Sequence, residues 1–314
     1  MEIIIGLDQL KRPFHHPVVT LGNFDGVHLG HQKIFKRIKE EASRIHGEAI
    51  VITFDPHPLK VLSPQRCPPL LTPFRKKVML IEQSKIETVL CIEFSLPFAE
   101  LSPLEFFNKI LVEKVNARKV IVGYNYHFGK KQSGDIETLK ELAAPFQIGV
   151  EVIEPLKMGQ VIVSSSKIRE MIKHGEVAEA SKYLGRDYLV MGKVIEGFKR
   201  GHGLGFPTAN LELSEELYPQ GGVYAAEVVW KNQRLKGLAN IGTNPTFSPT
   251  REGKAPSLSL EVHLLNFDRE IYGDEIQVHF KQRIRDEIRF ESTSQLIDQI
   301  KKDVQWAKEK VFRD

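Results

Sequence analysis

Gly22-Asn23-Phe24-Asp25-Gly26-Val27-His28-Leu29-Gly30-His31-Gln32 stands where an apolar run gives way to a helical pattern. The five residues before it, Pro17-Val18-Val19-Thr20-Leu21, read as a short buried strand. After it, from His31 to about His46, Ile34, Ile38, Ala42 and Ile45 recur at helical spacing. Gly22, Gly26 and Gly30 let backbone approach a ligand closely, and amides at a helix start favour an anion. His28 and His31, three residues apart, can face one phosphate together. A bare pair of histidines at this spacing also suits a solvated turn. Gly30 between them, with Phe24-Asp25-Gly26 just before, tilts the stretch towards nucleotide handling.

Outward from this point, strand-like and helix-like runs alternate. Apolar strands are expected at 49–54, 89–92, 119–123 and 148–153, with helical patterns around 74–85, 103–116 and 135–144. Such alternation predicts an α/β domain, a Rossmann-like parallel sheet with helices on both faces. Ligands of such sheets sit beyond the carboxyl ends of the strands. Residues 22–31, Pro56-His57-Pro58 and Tyr124 to Gly129 all fall there, so three loops are expected to converge on one crevice.

The texture changes after about Leu184. Tyr188–Ile195, Gly222–Trp230, Leu235–Ile241, Leu258–Phe267 and Glu275–Phe280 are shorter β-rich runs with turn signals, which predict a small antiparallel barrel. A closing amphipathic helix from about Thr293 carries Leu296, Ile297, Ile300, Val304 and Val311 on one face, with Ser292 and Gln295 placed as a capping box. A boundary near Gly185–Asp187 gives domains of 1–185 and 186–314.

Length and composition bound the function. The chain of 314 residues suits two domains at about 150 residues each. With 41% hydrophobic and 27% charged residues it is neither disordered nor a membrane class. No apolar run approaches the roughly 18 residues that span a bilayer, and the start, Met1-Glu2-Ile3-Ile4-Ile5-Gly6, lacks the basic region of a signal peptide. Cys67 and Cys91 are the two cysteines, without a C-x-x-C pair, and read as reduced thiols. A cytoplasmic protein is expected, with no membrane partner. The net charge of +4 suits phosphate ligands but falls short of a nucleic-acid binder.

Two further motifs lie in the first domain. Thr53-Phe54-Asp55-Pro56-His57-Pro58 is a strand end locked by two prolines. Val163-Ser164-Ser165-Ser166-Lys167-Ile168-Arg169 sets three hydroxyls at a helix start with two cations in the first turn, against the helix dipole; an anion there would resolve the conflict. With GNFDGVHLGHQ and VGYNYHFG, these motifs resemble, in order and spacing, the adenylyltransferase domain of the bacterial bifunctional riboflavin kinase/FMN adenylyltransferase family. The second domain resembles that family's kinase domain. GFPTAN at 205–210 matches its flavokinase motif residue for residue, and Gly222-Val223-Tyr224-Ala225, Asn240-Ile241-Gly242-Thr243, Pro245-Thr246-Phe247 and Ile284-Arg285-Asp286-Glu287 match further blocks. No Walker A loop occurs. Four positions depart from the family's usual residues: Ser166 for Thr, Asn125 where Asp also occurs, His202 for Arg and Asp187 for Pro.

The resemblance implies two ATP-dependent reactions, riboflavin to FMN and FMN to FAD, with Mg²⁺ as the metal and riboflavin, FMN, FAD and ATP as the ligands. It implies His28 and His31 as catalytic groups for adenylyl transfer. Gly22, Phe24, Asp25, Gly30, Ser164, Ser165, Arg169, Gly205 and Thr208 would bind ATP or its phosphates; Phe54, Asn125 and Arg285 the flavin; Thr208 and Asn210 the metal. A phosphate nucleophile is already ionised, so adenylyl transfer needs donors and positioning rather than a base. Riboflavin offers an alcohol, which must lose a proton, and Glu261 on the polar face of its strand is the candidate base. Zinc at His28 and His31 lacks a third ligand. A nucleotidylyltransferase for another phosphate acceptor is opposed by GFPTAN, and an inactive flavin- or nucleotide-binding module by the joint presence of His28, His31, Thr208, Asn210 and Glu261.

Overall fold

A computed structural model describes residues 1–196, 206–244 and 257–313. Spatial contacts divide the chain into Met1–Ser165 and Ser166–Asp314.

The first unit is built on six strands: β1 (Glu2–Ile5), β2 (Val18–Leu21), β3 (Ala49–Asp55), β4 (Thr88–Glu93), β5 (Lys119–Gly123) and β6 (Gly149–Ile153). All pair in parallel, in the order β1-β4-β3-β2-β5-β6. A hairpin of β7 (Lys157–Met158) and β8 (Val161–Ile162) follows. The helices are α1 (Leu29–Arg44), α2 (Pro58–Leu62), α3 (Phe74–Gln83), α4 (Leu96–Ala99), α5 (Pro103–Phe106) and α6 (Ile136–Ala143). Alternate strand residues Val19, Leu21, Ile50, Ile52, Leu90, Ile92, Val120 and Val122 form one core with Phe107, Ile110, Leu111 and Leu139. The opposite face of the sheet carries α1, packed on β2, β3 and β5. This is the expected parallel sheet with helices on both sides.

Besides the short α2 and α4 and the β7–β8 hairpin, which periodicity did not mark, two elements differ from the sequence expectation. β1 was not foreseen: its Ile3 and Ile5 stay exposed on an edge strand, so only Ile4 carries a burial signal. The helix expected over 103–116 is α5 followed by a π-helical segment, Phe107–Lys114. Phe106, Phe107, Ile110 and Leu111 of this stretch are buried in the core.

The second unit opens with α7 (Ser165–Lys173), whose first residue still belongs to the first unit, and α8 (Val177–Leu184). It continues with β9 (Tyr188–Ile195), β10 (Thr208–Leu211), β11 (Gly222–Trp230), β12 (Gln233–Asn244), β13 (Ser257–Leu264) and β14 (Glu275–Arg285), then α9 (Thr293–Lys310). The strands close an antiparallel barrel in the order β10-β13-β12-β11-β14-β9. The contact division thus falls earlier than the expected boundary of 185/186. The reason is α8, which packs on β9 and β14 and buries Val177, Ala180, Tyr183 and Leu184. Tyr224, Phe280, Ile241 and Val262 fill the barrel interior. Outside it, Ala307 of α9, with Val304, Trp306 and Val311, covers Ala225 and Leu238. Ser292 caps α9 by accepting from the Gln295 amide, but the Gln295 side chain accepts from Glu291 N, so the capping box is half made.

Candidate active sites

In the first unit the chain leaves β2 towards β3 and β4 on one side, and returns to β5 and β6 on the other. The carboxyl ends of β2 and β5 therefore border a topological switch point, where such sheets bind ligands. GNFDGVHLGHQ follows β2 and Tyr124–Gly129 follows β5, so the expected convergence is present.

His28 is the N-cap of α1, which begins earlier than the periodicity suggested, and its Nδ1 accepts from His31 N at 3.3 Å. With Nδ1 used as an acceptor, a neutral His28 carries its proton on Nε2 and presents a donor. The rings of His28 and His31 stack with centroids 3.6 Å apart and planes at 20°. Gly30 makes this possible: a Cβ there would lie 3.1 Å from the His28 ring. Phe24 has φ +49°, is buried, and meets His31 edge to face at 5.2 Å, so its ring supports the histidine. Gly22 lies against the Phe24 ring.

Asp25 serves as a brace. Its Oδ1 accepts from Thr72 N and Oγ1 at 2.8 and 2.9 Å and its Oδ2 from Leu71 N at 3.1 Å, while Gly26 N donates to Thr72 Oγ1. Buried and accepting these bonds, this carboxylate orders the loop instead of facing a phosphate directly. Ser165 donates its hydroxyl to Asp25 O at 2.8 Å, which ties the serine run to the histidine loop. Ser164 immediately precedes α7, and Arg169 lies one turn along it, in the second unit.

On the other wall, half-buried Phe54 meets Phe94 and Phe98 at 5.8 and 6.0 Å. Ring contacts continue through Phe106 and Phe128 to Tyr126. This aromatic run connects the exits of β3 and β5; sequence reasoning named Phe54 and the Tyr124–Gly129 loop that holds Tyr126 and Phe128, but missed Phe94, Phe98 and Phe106. Asn125 is exposed on the β5 loop. His57 is half-buried and caps α2, accepting from Leu59 N.

In the second unit, β-sheet register assembles the kinase candidates. Asn210 pairs with Glu261, and Glu261 pairs with Asn240 on its other side. The three are half-buried while their neighbours Ala209, Leu211, Leu260, Val262, Ala239 and Ile241 are buried, so they share the face turned away from the barrel interior. Thr208 pairs with His263, whose ring contacts Pro207 O at 2.9 Å. A missed neighbour is Glu287, whose carboxylate occupies the space a Cβ on Gly242 would need. Only the small block Ile284–Glu287 hinted at it. Arg285, expected as a flavin contact, has a structural partner. Its Nε and Nη2 bind both oxygens of buried Asp303 on α9 at 2.7–3.0 Å, so it fastens that helix to β14. Asp187 is ion-paired with Lys281 at 2.6 Å. Gly205, His202 and Pro245–Phe247 lie outside the described residues. Among the described residues no cluster of three His, Cys, Asp or Glu could hold a metal.

Paired imidazoles at the switch point of a parallel sheet, joined in one chain to a barrel with an Asn–Glu–Asn row, define a two-domain nucleotide-dependent transferase. The family patterns agree: FAD synthetase matches residues 11–167 and riboflavin kinase residues 184–311. The chain is 36% identical to the bifunctional riboflavin kinase/FMN adenylyltransferase of Buchnera aphidicola subsp. Acyrthosiphon pisum, covering 97% of this chain and 96% of the relative. It is 34% identical to the protein of the same name from Escherichia coli K12, over 98% and 97%. The chain belongs to the bifunctional riboflavin kinase/FMN adenylyltransferase family. A solved structure described as a macrolide-efflux protein from Streptococcus pneumoniae superposes with a TM-score of 0.87, at 31% identity, over 98% of this chain and 99% of that one. No helix among the described residues here is long and apolar enough to cross a membrane.

Proposed function

We propose that the first unit transfers AMP from ATP to FMN, giving FAD and diphosphate, and that the barrel transfers the ATP γ-phosphate to riboflavin, giving FMN and ADP. The observation that carries this reading is the occurrence, in one chain, of the stacked His28–His31 pair at the switch point and the Asn210–Glu261 register pair in the barrel.

In adenylyl transfer, His28 donates through Nε2–H, and with His31 stabilises charge developing on the α-phosphate and the leaving diphosphate. Gly30 keeps the amides of the α1 start close to the phosphates. Ser164 and Arg169 join this group on the strength of their motif. Phe54 and Asn125 receive the flavin, supported by the aromatic run behind Phe54. The FMN phosphate attacks without a base, so the work of this site is alignment.

In the kinase, Glu261 accepts the proton of the riboflavin hydroxyl as it attacks phosphorus. The Thr208 hydroxyl and Asn210 carboxamide are oxygen donors at alternate positions of one strand, a set suited to Mg²⁺ that keeps most of its ligands as water and phosphate oxygens. When bound, that ion neutralises charge on the ATP phosphates. Incubation with ATP, Mg²⁺ and riboflavin, followed by chromatography, tests the whole reading: FMN forms first and FAD accumulates from it. FAD formed from supplied FMN without riboflavin phosphorylation would refute the kinase half.

A further inference from the structure

Lys77 of α3 is only 6% exposed, and nothing in the motifs singles it out. Its ammonium has three hydrogens and meets three oxygens: Asn23 O at 3.2 Å, Thr53 Oγ1 at 2.9 Å and Phe54 O at 3.0 Å. Asn23 opens the histidine loop after β2, whereas Thr53 and Phe54 end β3 at the aromatic wall. One buried cation thus bridges the phosphate side and the flavin side of the crevice. Thr53 adds a long contact of its own, Oγ1 to Asn23 O at 3.4 Å. Burial pulls the Lys77 pKa down, opposed by Cys91, Asp25 and Asp55. A buried ammonium is costly unless its hydrogens are fully used. A methionine would fill the same space without that cost, so a packing role alone does not account for a lysine here.

We infer that Lys77 is a positioning residue for adenylyl transfer, holding the loop that carries His28 and His31 at a fixed distance from the Phe54 wall so that FMN and ATP meet in line. This rests on the crevice being the adenylyl-transfer site. With its ammonium directed at Asn23, Thr53 and Phe54, Lys77 acts through the loop and the wall. Misalignment of two bound reactants lowers turnover more than it weakens either binding step.

The test compares Lys77→Met, Thr53→Val, Thr53→Ser and His28→Ala in the full-length protein, measuring FMN adenylylation, riboflavin phosphorylation and thermal unfolding. Lys77→Met should lower the adenylylation kcat roughly thirtyfold with KM for FMN and ATP within about threefold. Riboflavin phosphorylation should be unchanged. Thr53→Val, which removes one acceptor, should reduce the same kcat several-fold, and Thr53→Ser, which keeps the oxygen, should restore it. A folded Lys77→Met with parent-like kcat, or with a rise in KM alone, overturns the inference, even if its unfolding temperature falls. Where Lys77→Met does not fold, equal kcat for Thr53→Val and Thr53→Ser overturns it instead. Normal adenylylation in Lys77→Met with loss in His28→Ala defeats the Lys77 inference alone. Normal adenylylation in both defeats the crevice reading with it.

Discussion

His28 shows how one residue type becomes a chemical tool through its neighbours. Its Nδ1 accepts from the His31 amide, so a neutral ring carries its proton on Nε2. Replacing His28 or His31 by alanine should slow FAD formation from FMN by about a hundredfold, the scale for removing a transition-state donor, and leave riboflavin phosphorylation near the parent rate. Parallel assays of the two reactions check this, and equal loss of both would sink the two-site reading. Glu261 makes the complementary case. Glu261→Gln keeps the shape of the side chain but cannot accept the hydroxyl proton. It should lower the kinase kcat by roughly a hundredfold with little change in KM, while FAD synthesis from FMN in the same preparation is intact. A glutamine variant that phosphorylates riboflavin at the parent rate would make Glu261 a solvated strand residue.

At the scale of elements, the instructive residue is Arg285. Its match to a family block suggested a flavin contact, but the barrel uses it to dock α9 through Asp303, which also accepts from Gln299 at 2.8 Å. Asp303 is 3% exposed, so removing it strands a guanidinium in a largely buried position. Asp303→Ala should cost about 3 kcal/mol of stability, measured by denaturant unfolding, the scale for breaking a buried pair by deleting one partner. Riboflavin KM in the folded variant is the second readout: if it is unchanged, Arg285 is a helix fastener. The half-made capping box at Ser292 belongs to the same scale. Sequence spacing located the cap, but the partner of Gln295 depended on how the chain enters α9.

Across the whole chain, the first unit relies on charge as well as apolar burial. Glu41, on α1 and 2% exposed, accepts from Arg44, Lys119 and Arg37, while Glu151 of β6 binds Arg37 and Lys119. Arg44 first, then Lys119, hold the Glu41 carboxyl at about 2 against an ordinary 4.5, with burial opposing. Because the folded value is the lower one, this contribution is complete above about pH 4.5 and is lost as the pH falls towards 2. Glu41→Gln should therefore lower the unfolding temperature of the first unit at neutral pH, and the gap to the parent should narrow below about pH 4.5 and close only towards pH 2. A gap independent of pH would show that the glutamate matters only by packing.

The sequence by itself determined the two-part architecture, the order of the main strands and longer helices, and the motifs that carry the family. These depend on local periodicity and short spacings, which survive in a linear string. It did not yield β1, whose edge position leaves a weak burial pattern, nor the π-helical segment, whose buried residues are spaced as an α-helix would also space them. Tertiary structure alone decided what each polar group touches. Thr72 and Leu71 claimed Asp25, Asp303 claimed Arg285, and Asn23, Thr53 and Phe54 made a site for Lys77. Each partner lies 18 to 54 residues away along the chain, and a hydrogen bond of that span leaves no periodic trace. Chemistry was legible where residues that act together are close in sequence, as His28 and His31 are; it stayed hidden where folding had to bring them together.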